Sequence, residues 1–270
     1  MNNVRVVTLY SGSGGNATYI RAAGASILID AGKSARTLCQ KLTEIGSDIK
    51  DIQAIFITHE HTDHVSALET LAKRNDIPIH VTDGSAKRFD RYPDSAIHSR
   101  LVRHTPIYSE QVGGMTVSSF RTPHDSNMSV GYRIEFENGG RKRAIGIATD
   151  IGYVSDSVKN GLCGCEVVVL ESNHDCVMLE EGPYPYDLKQ RIRSNRGHLS
   201  NTDCACFATE LAEKGTRAFI LAHISEENNE PCIALDEVSG AVSDTGAAVA
   251  TADADTPTEI LLDGIFEGDV

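Results

Sequence analysis

The sequence of 270 residues has no tryptophan and no uninterrupted apolar run near the ~18 residues that a membrane-spanning helix requires. A transmembrane helix is therefore not expected. The sequence also does not open with the charged, apolar and small-residue portions of a secretory signal. We therefore expect a cytoplasmic protein.

Cysteine is sparse, and the chain has an odd number of them, seven. An odd number without a secretory signal argues against a disulfide framework. Cys204 and Cys206 lie in a predicted helix, where residues two apart do not share a face, so cysteine is not expected among metal ligands. No Pro-rich or Ser-rich linker divides the chain, which predicts a single domain over residues 1–270 with an acidic C-terminal segment, residues 226–270.

Basic residues are missing from that C-terminal segment. Residues 226–270 contain twelve acidic residues and no Lys or Arg, whereas residues 1–225 contain 25 basic and 26 acidic residues. The net charge of −13 therefore comes almost entirely from one segment, and the rest of the chain is near neutral. Overall acidity does not exclude a nucleic-acid partner.

One short basic run is relevant to such a partner. Lys189, Arg191, Arg193 and Arg196 lead directly to His198. A basic cluster of this kind can bind the backbone phosphates of a nucleic acid, and the alternative is a solvated helix face. The missing tryptophan and the lack of interleaved aromatic residues give little support to base stacking on single strands.

The most informative motif is Thr-His-Glu-His-Thr-Asp-His at residues 58–64, directly after an apolar, strand-like run. In an extended segment, side chains two apart point the same way, so His59 and His61 can chelate one ion. Asp63 and His64 fall where the next apolar pattern indicates a helix, so they can turn toward a second ion. A His-Glu-x-x-His site is disfavoured because position 63 is aspartate.

Three more side chains that can bind metal follow strand-like stretches. They are His124, Asp150 and His223. One such residue alone would more often be structural, but their order and their positions at strand ends make all three candidate ligands.

Together these residues resemble the His-x-His-x-Asp-His signature and later ligands of the metallo-β-lactamase superfamily. The resemblance implies an α/β fold, an αββα four-layer sandwich of two sheets flanked by helices. It also implies two divalent metal ions, zinc or manganese with iron possible, that lower the pKa of a shared water whose proton Asp63 could accept. The implied ligands are His59, His61 and His124 for one ion, Asp63, His64 and His223 for the other, and Asp150 as the bridge.

A narrower resemblance covers nearly the whole chain. The segments 10–16, 28–32, 170–175, 197–201 and 221–229 are similar to motifs of the YycJ (WalJ, VicX) family. That similarity implies a dinuclear metal-dependent phosphodiesterase, a 5′ to 3′ exonuclease acting on DNA. Two alternatives stay open: a hydrolase of a small phosphodiester or lactone, and a non-catalytic metal-binding regulator.

The resemblance extends to a proton donor. In tRNase Z-like members of the superfamily a histidine before a helix is poised by a carboxylate, which implies that His198, with Glu171 as its partner, protonates the leaving oxygen. The alternative is that His198 only caps or packs within residues 197–199. His174 lies close to the site in the sequence, and its role is left open.

The apolar periodicities predict alternating strands and helices. Residues 246–258 are expected to be ordered and to lead into the apolar residues 260–262. The predicted strands are 4–9, 19–21, 26–29, 54–57, 79–81, 115–120, 130–135, 143–148, 166–170 and 218–222, and the predicted helices are 34–45, 65–74 and 201–214.

Overall fold

The computed structural model describes residues 4–260, which form two mixed β-sheets with helices on their outer faces. In chain order the strands are β1 (Arg5–Tyr10), β2 (Ala17–Ala22), β3 (Ala25–Ile29), β4 (Ile52–Phe56), β5 (Ile79–Thr82), β6 (Leu101–His104), β7 (Ser109–Val112), β8 (Met115–Arg121), β9 (Val130–Asn138), β10 (Arg141–Ala148), β11 (Val167–Glu171), β12 (Ala218–Ala222), β13 (Ala248–Thr251) and β14 (Thr258–Ile260). The helices are α1 (Ala35–Glu44), α2 (Thr62–Val65), α3 (Leu68–Arg74), α4 (Asp83–Ala86), α5 (Asp156–Leu162), α6 (Cys176–Glu181), α7 (Tyr186–Arg193), α8 (Asn201–Ala212) and α9 (Pro231–Val242).

The two sheets have the same internal plan. The first runs β14-β1-β2-β3-β4-β5-β6 and the second β13-β12-β11-β10-β9-β8-β7. Pairing is parallel from β3 to β6 and from β10 to β13, and antiparallel elsewhere. Neighbouring parallel strands end at the same edge of a sheet, so the residues that follow β3, β4, β10, β11 and β12 are brought together.

Apolar residues fill three layers. Ile27, Phe56 and Val169 belong to the core between the sheets. Leu38 of α1 packs in a second cluster outside the first sheet, and Phe207 of α8 packs in a third outside the second sheet. The predicted αββα four-layer sandwich is thus confirmed.

The local predictions are confirmed in most places. The predicted helix 34–45 is α1, and its N-cap Ser34 side chain accepts from the Thr37 backbone N–H at 3.1 Å. Residues 246–258 are ordered, and they contribute β13 to one sheet and the first residue of β14, Thr258, to the other. The apolar residues 261–262 lie outside the described residues. No helix between residues 4 and 260 is long and apolar enough to cross a membrane.

The prediction of one helix over 65–74 is wrong. Two short helices, α2 and α3, occupy this region, and α2 already begins at Thr62. The Ala67 backbone N–H donates to Ala31 O at 2.9 Å, which ties the break between the helices to the segment after β3. This long-range bond has no signature in the local apolar pattern.

Candidate metal centre

The seven predicted ligands converge at the edge where the strands end. His59, His61, Asp63 and His64 follow β4 of the first sheet, while Asp150 follows β10 of the second. His124 and His223 follow β8 and β12, so both sheets contribute to the cluster. Asp150 and His223 have left-handed backbones with φ of 57°, a conformation that is uncommon outside glycine and often found at functional sites.

The three histidines predicted for one ion form a compact group. His59, His61 and His124 each offer a ring nitrogen, and these atoms lie within 4.8 Å of one another. His124 Nε2 is 3.4 Å from His61 Nδ1. His59 and His124 are buried, whereas His61 is partly exposed, so one side of this group opens toward solvent.

The residues predicted for the second ion form a matching group, and Asp150 lies between the two. Asp63 Oδ2 is 3.3 Å from His64 Nε2 and 3.7 Å from His223 Nε2. The Asp150 carboxylate is 3.5 Å from His64 Nε2, 3.6 Å from His223 Nε2 and 3.7 Å from His124 Nε2. Asp150 therefore faces both groups, as a bridging carboxylate must.

These residues fit divalent cations by two criteria. Two ligands that each bind an ion at about 2.1 Å in tetrahedral geometry lie about 3.4 Å apart, close to the separations seen here. Within residues 4–260, the buried atoms His59 Nε2, Asp150 Oδ2 and His223 Nε2 have no hydrogen-bond partner. Buried polar atoms are normally partnered, and a bound cation would satisfy these three. Imidazole and carboxylate donors suit zinc, manganese or iron.

Asp30 supports the cluster from behind, and the sequence reasoning did not assign it a role. Its carboxylate accepts from Thr58 N and Thr58 Oγ1, both at 2.8 Å, and lies 2.8 Å from His64 Nδ1. An Nδ1–H donated to Asp30 leaves Nε2 of His64 directed at Asp63 and Asp150. The signal in the sequence is that Asp30 follows the apolar run of β3, but its contact with the 58–64 motif depends on the pairing of β3 with β4.

A second support comes from the loop between β1 and β2. Asn16 N donates to Asp63 O at 2.8 Å, and Asn16 Nδ2 lies 3.2 Å from His64 Nε2. Gly32 N in turn donates to Asn16 O at 2.9 Å. A Cβ on Gly32 would overlap the Asp63 carbonyl oxygen, so this close approach requires glycine.

Replacing Asp30 with asparagine should weaken metal binding about 10- to 100-fold, because a ligand then loses its orienting carboxylate. Asparagine tolerates the left-handed backbone of residue 30, where φ is 62°, so the fold should survive. Competition with a chelating dye measures the affinity. Asp48→Asn, at an exposed helix cap, is the control, and equal affinities for the two variants would contradict the supporting role.

The cluster's carboxylates also control its protonation. Burial alone would lower the pKa of His223, but Asp150, Asp63 and Glu171 raise it to about 10. Burial likewise opposes the charged form of His64, yet Asp30 and Asp150 raise its pKa well above the usual value. Burial would raise the pKa of Asp150, but the surrounding histidines hold it well below the usual range.

We expect metal binding to release protons. A cation binds neutral imidazole, and His223, with its pKa of about 10, is protonated at neutral pH until a cation displaces the proton. Apparent zinc affinity should therefore rise with pH between 6 and 8, about tenfold per unit for each proton released. Calorimetry in buffers of different ionisation enthalpy counts those protons, and a binding heat independent of the buffer would contradict the expectation.

His198 and Glu171 lie side by side next to the cluster. Glu171 Oε1 is 2.8 Å from His198 Nδ1 and 2.9 Å from His223 Nδ1. Glu171 Oε2 accepts from the backbone N–H groups of Ile151 and Leu199 at 2.8 and 3.1 Å. Burial would raise the pKa of Glu171, but His198 and His223 lower it to about 2, so this carboxylate stays ionised. The contact expected between His198 and Glu171 is present.

The four predicted basic side chains have protein partners of their own. Arg191 pairs with Asp125, whose Oδ2 is 2.6 Å from Arg191 Nε, and Arg193 pairs with Glu180. Lys189 Nζ donates to Glu180 O at 2.6 Å, and Arg196 donates to the backbone carbonyl of His124 at 3.2 Å. His174 is buried, and burial lowers its pKa to about 4. It is not in the groups of potential ligands found among the described residues.

Other proteins are similar to this chain in both sequence and fold. Residues 25–224 match the family described as the beta-lactamase superfamily domain. The chain is 33% identical over 244 residues to the exodeoxyribonuclease YycJ of Bacillus anthracis, covering 90% of this chain and 91% of that protein. It is 32% identical over 227 residues to the exodeoxyribonuclease WalJ of Streptococcus pneumoniae serotype 2, covering 82% and 81%. The crystal structure of YhfI from Bacillus subtilis, a metallo-beta-lactamase fold protein, matches with a TM-score of 0.71 at 16% identity, covering 96% of this chain and 100% of that one.

The chain belongs to the metallo-β-lactamase superfamily and, within it, to the family of YycJ and WalJ. The resemblance inferred from the sequence is confirmed. Membership in this family, together with a His/Asp cluster that fits divalent cations, makes the protein a metal-dependent hydrolase.

Proposed function

We propose that this protein is a dinuclear metal-dependent phosphodiesterase that acts as a 5′ to 3′ exonuclease on DNA. The observation that carries the proposal is the adjacency of two potential ligand groups, both faced by the Asp150 carboxylate, to a histidine–carboxylate pair suited to proton transfer. The relatives named exodeoxyribonucleases support the choice of DNA.

His59, His61 and His124 would hold one ion, Asp63, His64 and His223 the other, and Asp150 would contact both. Zinc and manganese are the first candidates, and iron is the third. Two such cations lower the pKa of a water and neutralise charge on the phosphate.

Side chains of the protein would accept and donate the protons of the reaction. Asp63 would accept the proton of the attacking water, whose oxygen forms the new bond to phosphorus. His198 would donate a proton from Nε2 to the 3′-oxygen as the phosphorus–oxygen bond breaks. Glu171 accepts the Nδ1–H of His198, which fixes the ring and leaves Nε2 on the side away from Glu171.

DNA would contact Lys189, Arg191, Arg193 and Arg196. All four lie on α7 or directly after it, on the segment that leads to His198. Their ion pairs and hydrogen bonds hold these side chains in place, and a phosphate could share the cations with their protein partners.

The cytoplasmic location expected from the sequence stays a prediction.

The test is release of nucleotides from linear duplex DNA labelled at its 5′ or 3′ end. Metal-free protein is resupplied with manganese or zinc, and Asp63→Ala is assayed alongside. Release of the 5′ label by the wild type alone supports the proposal. Equal cleavage by Asp63→Ala, or release from the 3′ end, contradicts it.

A small phosphodiester is the second candidate substrate. The cavity beside the cluster has a volume of only about 180 Å³, below the ~300–1,000 Å³ of pockets that enclose drug-sized ligands. Hydrolysis of a small ester with no cleavage of DNA would favour this alternative.

A further inference from the structure

A cavity of about 180 Å³ opens directly beside the metal centre. His198 and His223 line it, so it adjoins both the candidate proton donor and the cluster. Its position next to His198 indicates its occupant: the group that His198 would protonate is the 3′-oxygen of the terminal nucleotide, which departs together with the phosphate at its own 5′ position. The nucleoside part of the nucleotide that leaves in each cycle would therefore occupy this cavity.

Besides the ion pair of Asp125 and Arg191, an apolar set and an uncharged polar set of side chains line the cavity. Tyr184, Leu188 and Ile192, from α7 and the segment before it, supply the aromatic and aliphatic side chains. Ser13, Asn173 and Ser225 supply hydroxyl and amide groups from three separate loops. A nucleoside also combines apolar and polar surfaces. The flat faces of its base suit the aromatic and aliphatic side chains, and its hydroxyl groups and ring nitrogens suit the hydroxyl and amide groups.

The size of the cavity limits the occupant to one nucleoside. Its volume lies below that of pockets for drug-sized ligands, and a paired base with its partner strand is much larger. A base in this cavity would have left its partner, as a base does when an enzyme that carries out chemistry on it extrudes it from the duplex.

We propose that this cavity is a subsite for a single unpaired terminal nucleoside, with its base against Tyr184. The inference rests on the proposed exonuclease function and adds that terminal unpairing precedes each cleavage. The sequence alone gave little support for stacking, because there is no tryptophan and the aromatic residues are not interleaved in a long basic run. In the fold, Tyr184 nevertheless lines the same cavity as His198 and His223.

Three DNA hairpins that differ only at the base opposite the 5′-terminal nucleotide test the unpairing step. That base is complementary, mismatched or missing, so the strand that is cut stays the same. Release of the first nucleotide is followed under single-turnover conditions with excess holoenzyme. We expect release about tenfold or more faster from the mismatched and unopposed ends, because no base pair has to open. Equal rates on all three ends would overturn the inference.

Variants of Tyr184 test the stacking contact. Tyr184→Ala should slow release from all three hairpins about tenfold at subsaturating enzyme, since base–aromatic stacking is lost. Tyr184→Phe keeps the ring and should restore the rate. Tyr186→Ala is the matched control, because Tyr186 lies two positions away, is 73% exposed and is not among the lining residues of the cavity. Wild-type rates for Tyr184→Ala would overturn the role of the ring.

Hydrolysis of bis(p-nitrophenyl) phosphate, measured alongside, distinguishes failure of the exonuclease proposal from failure of the subsite inference. If the enzyme hydrolyses this ester but cuts none of the hairpins, the exonuclease proposal and this inference are both overturned. If it cuts all three hairpins at one rate, the exonuclease proposal stands and the unpaired-nucleoside subsite alone is overturned.

Discussion

Asp150→Asn is expected to lower hydrolysis by about three orders of magnitude, and to lower the bound metal to at most one ion per chain. The Asp150 carboxylate is buried and lies within 3.7 Å of ring nitrogens from both ligand groups. Metal ions supply several kcal/mol of charge stabilisation in the transition state, which corresponds to roughly a thousandfold in rate.

Asparagine is the informative replacement at this position. It has nearly the same shape as aspartate, and both residues tolerate the left-handed backbone that position 150 adopts. The loss can therefore be assigned to the missing negative charge and not to backbone strain.

Metal content after dialysis and the initial rate on DNA measure the effect. Asp156→Asn, on an exposed position six residues further along, is the matched control and should keep both metal and activity. Two bound ions and more than about a tenth of the wild-type rate in Asp150→Asn would contradict the bridging assignment.

The positions of the candidate ligands could be predicted because each one follows an apolar strand. His59, His61 and Asp150 come directly after β-strand patterns, and the order of the motifs matches the superfamily. Residues that act through long-range hydrogen bonds could not be assigned in this way. Asp30 and Asn16 contact the 58–64 motif only because β3 pairs with β4 and the 12–16 loop folds over them.

The same limit applies to the fold. Patterned, buried strands such as β10 and β11 were predicted close to their true bounds, since alternation and apolar runs mark them. The edge strands β6 and β7 were not predicted, because their residues are mostly half-buried or exposed and show no clear period. The split between α2 and α3 depends on the bond between Ala67 and Ala31, which local sequence does not encode.

His198→Ala is expected to slow DNA cleavage about 10²- to 10⁴-fold, the usual contribution of a general acid. The 3′-oxygen of a nucleoside is a poor leaving group and requires a proton as its bond to phosphorus breaks. The p-nitrophenolate ion leaves readily without one. The same variant should therefore hydrolyse bis(p-nitrophenyl) phosphate within a few-fold of the wild type.

Glu171→Gln should behave differently and lose activity on both substrates. The Glu171 carboxylate accepts from His198 and is also 2.9 Å from Nδ1 of His223, a predicted ligand. Its loss would disturb metal binding as well as proton donation. The contrast between the two variants therefore separates protonation of the leaving group from support of the metal centre.

Initial rates on both substrates, at saturating metal, show whether His198 protonates the leaving group or only supports the site. His98→Ala, at a half-buried histidine whose ring nitrogen contacts Tyr92 O, is the control for general effects of losing an imidazole. If His198→Ala slows both substrates equally, the histidine serves the structure of the site or phosphate binding, and another group must protonate the leaving oxygen. If only DNA cleavage falls, proton donation by His198 accounts for its position between Glu171 and the cavity, because a ring held there by Nδ1 has Nε2 free for the departing nucleoside.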